Sequence, residues 1–213
     1  MAIEFPDPRT SNEDGLVAMG GNLEVETLLA AYRKGIFPWY GDQQPVLWWS
    51  PDPRCVLLPD EFYCNQRLLR RLRQPCYHFS RDQAFERVIR TCADIPRKGE
   101  KGTWIWPEMI QAYLRLHQGG FAHSIEVWRD THLIGGVYGV LLNDVFFAES
   151  MFSHERDASK MALAKLVQRA MQQGWKLIDC QFLTSHLASL GAREISREMF
   201  LRNIGQGGLF VAE

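Results

Sequence analysis

Val145-Phe146-Phe147-Ala148-Glu149-Ser150-Met151-Phe152 is the stretch on which the fold turns. Aromatic and apolar residues dominate it, as in a strand, yet one carboxylate sits in its middle. Two strand-like runs precede it, Ala122 to Arg129 and His132 to Leu142. The connecting pairs Asp130-Thr131 and Asn143-Asp144 are turn formers, so the three runs read as an antiparallel meander. Downstream, Asp157 or Ser159 can cap a helix reaching about Gln173, with Leu163, Leu166, Val167 and Ala170 as its apolar stripe and Gly174 as its stop. Lys176 to Phe182 reads as a returning strand, His186 to Leu190 as a short helix ended by Gly191, and Glu194 to Asn203 as a last helix. Strands, a long helix, a strand and more helix make an α+β layout.

Upstream the pattern is looser. Residues 1 to 22 are rich in turn formers and read as an extended arm. Asn22 can cap an amphipathic helix from Leu23 to Lys34, which Gly35 ends. Ile36 to Pro53 combines Phe37, Trp39, Tyr40, Trp48 and Trp49 with prolines, which suits a loop-rich surface with flat aromatic walls. Residues 55 to 58 look like a strand, Gln66 to Arg73 like a helix carried on by Asp82 to Thr91, and Pro96 to Gly102 like a basic loop. Pro107 to His117 reads as a helix with proline in its first turn. A small N-terminal α/β domain, residues 1 to about 60 with part of the segment to about 118, is expected ahead of a main domain from about 119 to 213.

The composition is that of a globular protein, with 213 residues, 46% hydrophobic and 23% charged, so a large core needs no disulfide or metal. No apolar run has membrane-spanning length and no signal pattern opens the chain, so a cytoplasmic protein without a membrane partner is expected. The five cysteines contain no C-x-x-C and read as reduced, mostly buried thiols. The net charge of −1 argues against bulk coating of nucleic acid. Ten Lys and Arg against four acids nevertheless fall between Gln66 and Lys101. Arg67, Arg70, Arg71 and Arg73 there could track a phosphate backbone or simply form a solvated helix face.

The candidate chemistry lies on the returning strand. Side chains alternate, so Leu177, Asp179 and Gln181 share one face, and a carboxylate beside an amide on an apolar strand is costly to bury without a role. The pair could carry acyl-transfer chemistry, or it could close the end of the sheet by hydrogen bonding. Glu149 places a second acid in a neighbouring apolar strand, which suggests a site for a cation or an amine. Trp39 and Trp104 could wall a pocket, stack bases or fill core. The histidines are scattered without metal-ligand spacing, so no metal is expected. There is no nucleophile elbow and no phosphate-binding G-x-x-x-x-G-K motif.

The strand and helix order resembles the second half of the acyltransferase fold typified by the N-acetyltransferases. There two neighbouring strands splay into a V-shaped cleft, here Val145 to Phe152 and Lys176 to Phe182. Acetyl-CoA-dependent members carry a glycine-rich pyrophosphate loop, but Ser153 to Ser159 holds no glycine and two added acids. A pyrophosphate-bearing donor is therefore disfavoured.

Several stretches together resemble the leucyl/phenylalanyl-tRNA–protein transferases. They are Gly-Gly-Asn-Leu at 20 to 23, Tyr-Arg-Lys-Gly-Ile-Phe-Pro-Trp at 32 to 39, and Leu-Trp-Trp-Ser-Pro-Asp-Pro-Arg at 47 to 54. Gly-Thr-Trp-Ile at 102 to 105, His-Ser-Ile-Glu-Val-Trp at 123 to 128 and Gly-Gly-Val-Tyr-Gly-Val at 135 to 140 follow. Glu-Ser-Met-Phe-Ser at 149 to 153, Ala-Ser-Lys at 158 to 160 and Leu-Ile-Asp-Cys-Gln at 177 to 181 complete the set. The resemblance implies an acyltransferase-like (N-acetyltransferase-type) C-terminal domain with a smaller N-terminal domain, and neither metal nor cofactor. It implies transfer of leucine or phenylalanine from Leu-tRNA or Phe-tRNA to acceptor proteins or peptides with N-terminal Arg or Lys, marking them for degradation by the N-end rule. It assigns Asp179 and Gln181 as the catalytic pair and Glu149 as the acceptor-binding acid. Trp39, Trp104, Phe146, Met151, Leu163, Ile178, Val137, Leu166 and Ala170 fall on positions lining the donor side-chain pocket. In that mechanism Gln181, polarised by Asp179, orients the attacking amine. An acetyl-CoA N-acetyltransferase and a tRNA-binding module without catalysis are the alternatives.

Overall fold

The computed structural model describes residues 3–95, 103–205 and 210, so the expected basic loop at 96–102 lies outside the described residues. In chain order the elements are β1 (Leu16–Met19), α1 (Val25–Arg33), β2 (Phe37–Pro38), β3 (Leu47–Trp49), β4 (Arg54–Leu57), α2 (Gln66–Leu72), β5 (Tyr77–Arg81), α3 (Phe85–Asp94) and α4 (Pro107–Gln118). Then come β6 (Ala122–Arg129), β7 (His132–Leu142), β8 (Val145–Ser153), α5 (Ala158–Gln173), β9 (Leu177–Gln181), α6 (Ser185–Ala188), β10 (Arg193–Ile195) and α7 (Arg197–Gly205).

The expected meander is present as β6, β7 and β8. Asp130 and Asn143 take positive φ, at 52° and 55°, in the two connecting turns. The returning strand, β9, lies parallel to β8, which a helical crossover through α5 allows. The seven-stranded sheet has the order β10-β4-β9-β8-β7-β6-β5. Strands β4, next to one edge, and β5, at the other edge, come from the first half of the chain, so the sheet runs across the boundary expected near residue 118. One core layer packs α1, α3 and α4 on one face of the sheet; the other packs α5 with α2 on the opposite face.

Several expectations need correction. Tyr77–Arg81, passed over between two helices, is an edge strand, half polar because only one side of it pairs. Arg193–Ile195 is a three-residue strand on β4 rather than the start of the final helix. The N-terminal arm and the tryptophan-rich stretch form a small antiparallel sheet, β1-β3-β2, instead of plain loop. Glu24 occupies the cap position of α1, while Asn22 Oδ1 accepts from Glu24 N–H and Thr27 Oγ1. Asp157 stands at the cap position of α5 in left-handed conformation without a side-chain capping bond, and Gly174 ends the helix at φ 68°.

Two glycines allow the close approaches that shape the centre. A Cβ on Gly135 would stand 2.6 Å from the Cβ of Ala158, so its absence lets the start of α5 seat on β7. A Cβ on Gly139 would stand 2.1 Å from the carbonyl oxygen of Phe147. That crowding occurs because β7 and β8 slip register there, Tyr138 facing Ser150 and Gly139 facing Ala148, which leaves Glu149 as the extra residue of a β-bulge. Backbone cannot yield as a flexible side chain can, so Gly139→Ala is expected to cost about 1–3 kcal/mol or more, read as a lowered chemical-denaturation midpoint. An unchanged midpoint would show that the bulge is not held by this contact.

Candidate active site

The sheet opens where the sequence placed the cleft. β8 and β9 pair only through Val145↔Leu177, Phe146↔Ile178 and Phe147↔Asp179, and beyond that rung the two strands diverge. The opening forms a cavity of about 470 Å³, within the ordinary range for small-ligand sites. Phe37, Trp39, Trp104, Val137, Met151 and Phe182 supply apolar wall, and Glu149 and Gln181 supply the polar groups discussed below. Trp39 and Phe182, 41% and 44% exposed, lie at 5.7 Å between ring centroids and form part of an aromatic wall.

Asp179 does not stand in this cleft beside Gln181. It lies on the last paired rung, fully buried, and its carboxylate grips Arg54 with both oxygens: Nε donates to Oδ1 at 2.8 Å and Nη2 to Oδ2 at 2.7 Å. β4 brings Arg54 there by pairing with the far edge of β9, Val56 opposite Asp179. Phe37 and Phe200 cover the guanidinium, their ring centroids 4.8 and 4.4 Å from its central carbon. A buried carboxylate without a cation is strongly unfavourable, and this bidentate contact answers that need.

Alternation fails at the next polar residue. Gln181 adopts φ of 56°, a left-handed conformation rare for a non-glycine residue, and its backbone N–H donates to Asp179 Oδ1 at 3.1 Å. Asp179 therefore fixes the backbone of Gln181 rather than polarising its amide. The Gln181 side chain lines the cleft, and its buried Nε2 has no hydrogen-bond partner among the described residues. A buried donor without a partner is rare in folded proteins, and one at a cleft is a binding group in waiting.

Glu149 meets a different environment. The bulge directs it into the cleft wall, where Tyr32 donates to Oε1 at 2.7 Å and Tyr113 to Oε2 at 2.9 Å. Burial raises its carboxyl to about 7; the two hydroxyl donors and Arg54 pull it down, and Asp179 pushes it up. Burial, and then the charge of Glu149, push both phenols well above their ordinary range, so they act as donors.

The remaining expected residues divide. Trp39, Trp104, Val137 and Met151 line the cleft. Phe146, Leu163, Leu166, Ala170 and Ile178 do not; they are buried in the core layer under α5, which Val137 joins and Met151 packs against. Arg67, Arg70 and Arg73 are exposed on α2, with Arg71 partly buried. Arg67 and Arg71 reach Asp157 at 3.8 and 3.5 Å, and Arg71 Nη1 donates to the carbonyl of Arg156. Among the described residues no cluster of His, Cys, Asp and Glu could hold a metal, and no helix is long and apolar enough to cross a membrane. Three contributors escaped the sequence reading: Arg54, Tyr32 and Tyr113. Arg54 ended a recognised stretch, but the strand reading gave no sign that it would lie inside. Tyr32 lies within the expected helix from Leu23 to Lys34, whose pattern gives its hydroxyl no partner.

Comparison with known proteins shows the family of the chain. The family model described as leucyl/phenylalanyl-tRNA protein transferase matches residues 56–205, and that of the family's N-terminal domain matches residues 21–52. A protein of an Anaeromyxobacter species named leucyl/phenylalanyl-tRNA–protein transferase is 52% identical over 96% of this chain and 87% of its own length. A protein of that name from Oleidesulfovibrio alaskensis is 49% identical over 95% of this chain and 84% of its own. A GCN5-related N-acetyltransferase from Kribbella flavida aligns with 79% of this chain and 60% of that one, at 8% identity and a TM-score of 0.41.

The buried pair generates a double-mutant test. Arg54→Met strands Asp179 inside the fold and is expected to cost about 3–5 kcal/mol, whereas Arg54→Met with Asp179→Leu should recover most of that loss. Denaturation of the two variants measures the difference; equal losses would mean that the pair is not a closed unit.

Proposed function

The chain belongs to the leucyl/phenylalanyl-tRNA protein transferase family, and from that membership we propose how its cleft works. The substrates are an aminoacyl-tRNA carrying leucine or phenylalanine and a protein whose N-terminal residue is Arg or Lys. The product is a new peptide bond at that N-terminus, which marks the acceptor for degradation. The use of aminoacyl-tRNA places the reaction in the cytoplasm.

The single observation that carries the reading is the opened sheet with Gln181 and Glu149 on its walls. The donor is an ester already activated for attack, so positioning and charge stabilisation are the enzyme's main tasks. The apolar surface of Val137, Met151, Trp39 and Trp104 suits the donor side chain, with Phe146, Leu163, Leu166, Ala170 and Ile178 as the layer behind it. The amide of Gln181 offers Oε1 to the attacking α-amine and its unpartnered Nε2 to the ester carbonyl, where negative charge develops. Asp179 is a positioning residue: it holds Arg54 and the left-handed backbone of Gln181. Glu149 pairs with the cationic side chain of the acceptor. The exposed arginines of α2 suit the tRNA phosphates.

An acetyl-CoA acetyltransferase is disfavoured by particular contacts. At the start of α5, where a pyrophosphate would lie against backbone N–H groups, the N–H of Ala158 already donates to the Glu155 carbonyl at 3.0 Å and that of Ser159 to Ser153 Oγ at 3.2 Å. A non-catalytic tRNA-binding module leaves the unpartnered amide of Gln181 without explanation.

Transfer of labelled phenylalanine from Phe-tRNA to an Arg-initiated peptide tests the scheme. Gln181→Ala should lose about 100-fold or more in kcat while retaining tRNA binding. Glu149→Gln should act mainly on the acceptor KM. Full activity in the Gln181 variant, or no transfer by the unaltered protein, would remove this assignment.

A further inference from the structure

Three oxygen-bearing side chains close a triangle in the cleft wall. Tyr32 Oη stands 2.7 Å from Glu149 Oε1, Tyr113 Oη stands 2.9 Å from Glu149 Oε2, and the two hydroxyl oxygens are 2.5 Å apart. Each contact of that length needs a hydrogen, so three contacts need three. The tyrosines supply one each. With Glu149 ionised, two protons serve three contacts, and one pair of oxygens is left with lone pairs facing each other. With Glu149 protonated the ring closes, each group donating once and accepting once.

We propose that Tyr32, Tyr113 and Glu149 form a ring that stores one proton and releases it to solvent when the acceptor's cationic side chain binds, making both tyrosines specificity-determining residues for the acceptor. The inference deepens the reading of Glu149 as the acceptor's partner and rests on it. The exchange balances: the carboxyl O–H bond breaks, its proton passes to water, and a guanidinium or ammonium takes its place beside the carboxylate. Below about pH 7 the wall is neutral before binding and neutral after it, so binding leaves no lone charge buried. An acceptor with an uncharged first side chain cannot displace the proton and gains no ion pair.

The groups facing Glu149 fit this role. Tyr32 comes from α1 and Tyr113 from α4, with the Tyr138 ring of β7 5.7 Å from that of Tyr113. Asp179 from β9 opposes ionisation and Arg54 from β4 favours it, but those two are bound to each other. Both phenols hold their protons beyond the ordinary range, which leaves the carboxyl as the member of the ring that titrates. Acceptor affinity should therefore rise as pH rises toward about 7, where the free site loses its proton, and level off above it.

Difference infrared spectroscopy on the full-length protein reads that proton directly. At about pH 6, below the Glu149 value of about 7, a protonated-carboxyl band should be present and should vanish in Glu149→Gln. Excess Arg-initiated peptide should bleach the band, and a Leu-initiated peptide should not. Tyr32→Phe removes a donor to the carboxylate and should move the band's titration midpoint up by roughly half a pH unit or more. A tyrosine that only packs would change the melting temperature and leave the midpoint in place. Absence of the band, an unmoved midpoint, or a band that persists while Arg peptide is being aminoacylated would each overturn the proposal. An Arg peptide that is no substrate at all would bring down the acceptor reading and the coupling with it, whereas the band would still be seen.

Discussion

The parting of β8 and β9 after Phe147 and Asp179 is the constraint on which the rest of the structure depends. A sheet that opens leaves backbone groups without a ladder partner, and each must be satisfied elsewhere. At the end of β9 the N–H of Gln181 turns to Asp179 Oδ1, at the cost of a left-handed backbone. On β8 the extra residue of the bulge absorbs the change of direction and aims Glu149 into the gap. The carboxylate of Asp179, sealed on the last closed rung, needs a cation within reach. Only a strand on the far side of β9 can bring one, which is why β4, from the first half of the chain, is inserted between β9 and β10.

The same opening gives two nearby carboxylates opposite fates. Asp179 faces a guanidinium flanked by aromatic rings and is matched in charge within the fold. Glu149 faces two hydroxyls, which donate hydrogen bonds but carry no charge. Its burial is thus compensated in hydrogen bonding and uncompensated in charge, and the rise of its carboxyl to about 7 expresses that difference. A residue in that condition gains more from an arriving cation than one already paired. Of the two acids, Glu149 is therefore the one with charge left to match, and Asp179 is matched within the fold.

Much of this was legible in the sequence. The meander, the long helix and the returning strand follow from turn residues and apolar spacing, whereas the splayed pair that makes the cleft was an expectation drawn only from the resemblance in strand and helix order. Glu149 stood out because a carboxylate in so apolar a strand demands a reason. Alternation of side chains, however, holds only while a strand stays extended. It placed Asp179 and Gln181 on one face, and the positive φ of Gln181 separates their roles. Tyr77–Arg81 and Arg193–Ile195 were missed because an edge strand can be polar and a three-residue strand has no period to detect. Arg54, Tyr32 and Tyr113 were missed because their partners lie 36 to 125 residues away along the chain (Tyr113 with Glu149 and Tyr32, Tyr32 with Glu149, Arg54 with Asp179). No local pattern registers contacts of that range.

The start of α5 shows how a helix N-terminus can be satisfied from within the chain. A helix N-terminus attracts anions through its free N–H groups and its dipole. Here the N–H groups of Ala158 and Ser159 donate to the Glu155 carbonyl and to Ser153 Oγ, while Asp157, in left-handed backbone, turns its carboxylate to Arg67 and Arg71. These contacts also fasten the start of α5 to α2, whose other arginines stay exposed. The first N–H groups that an anion would seek are thereby bonded within the chain.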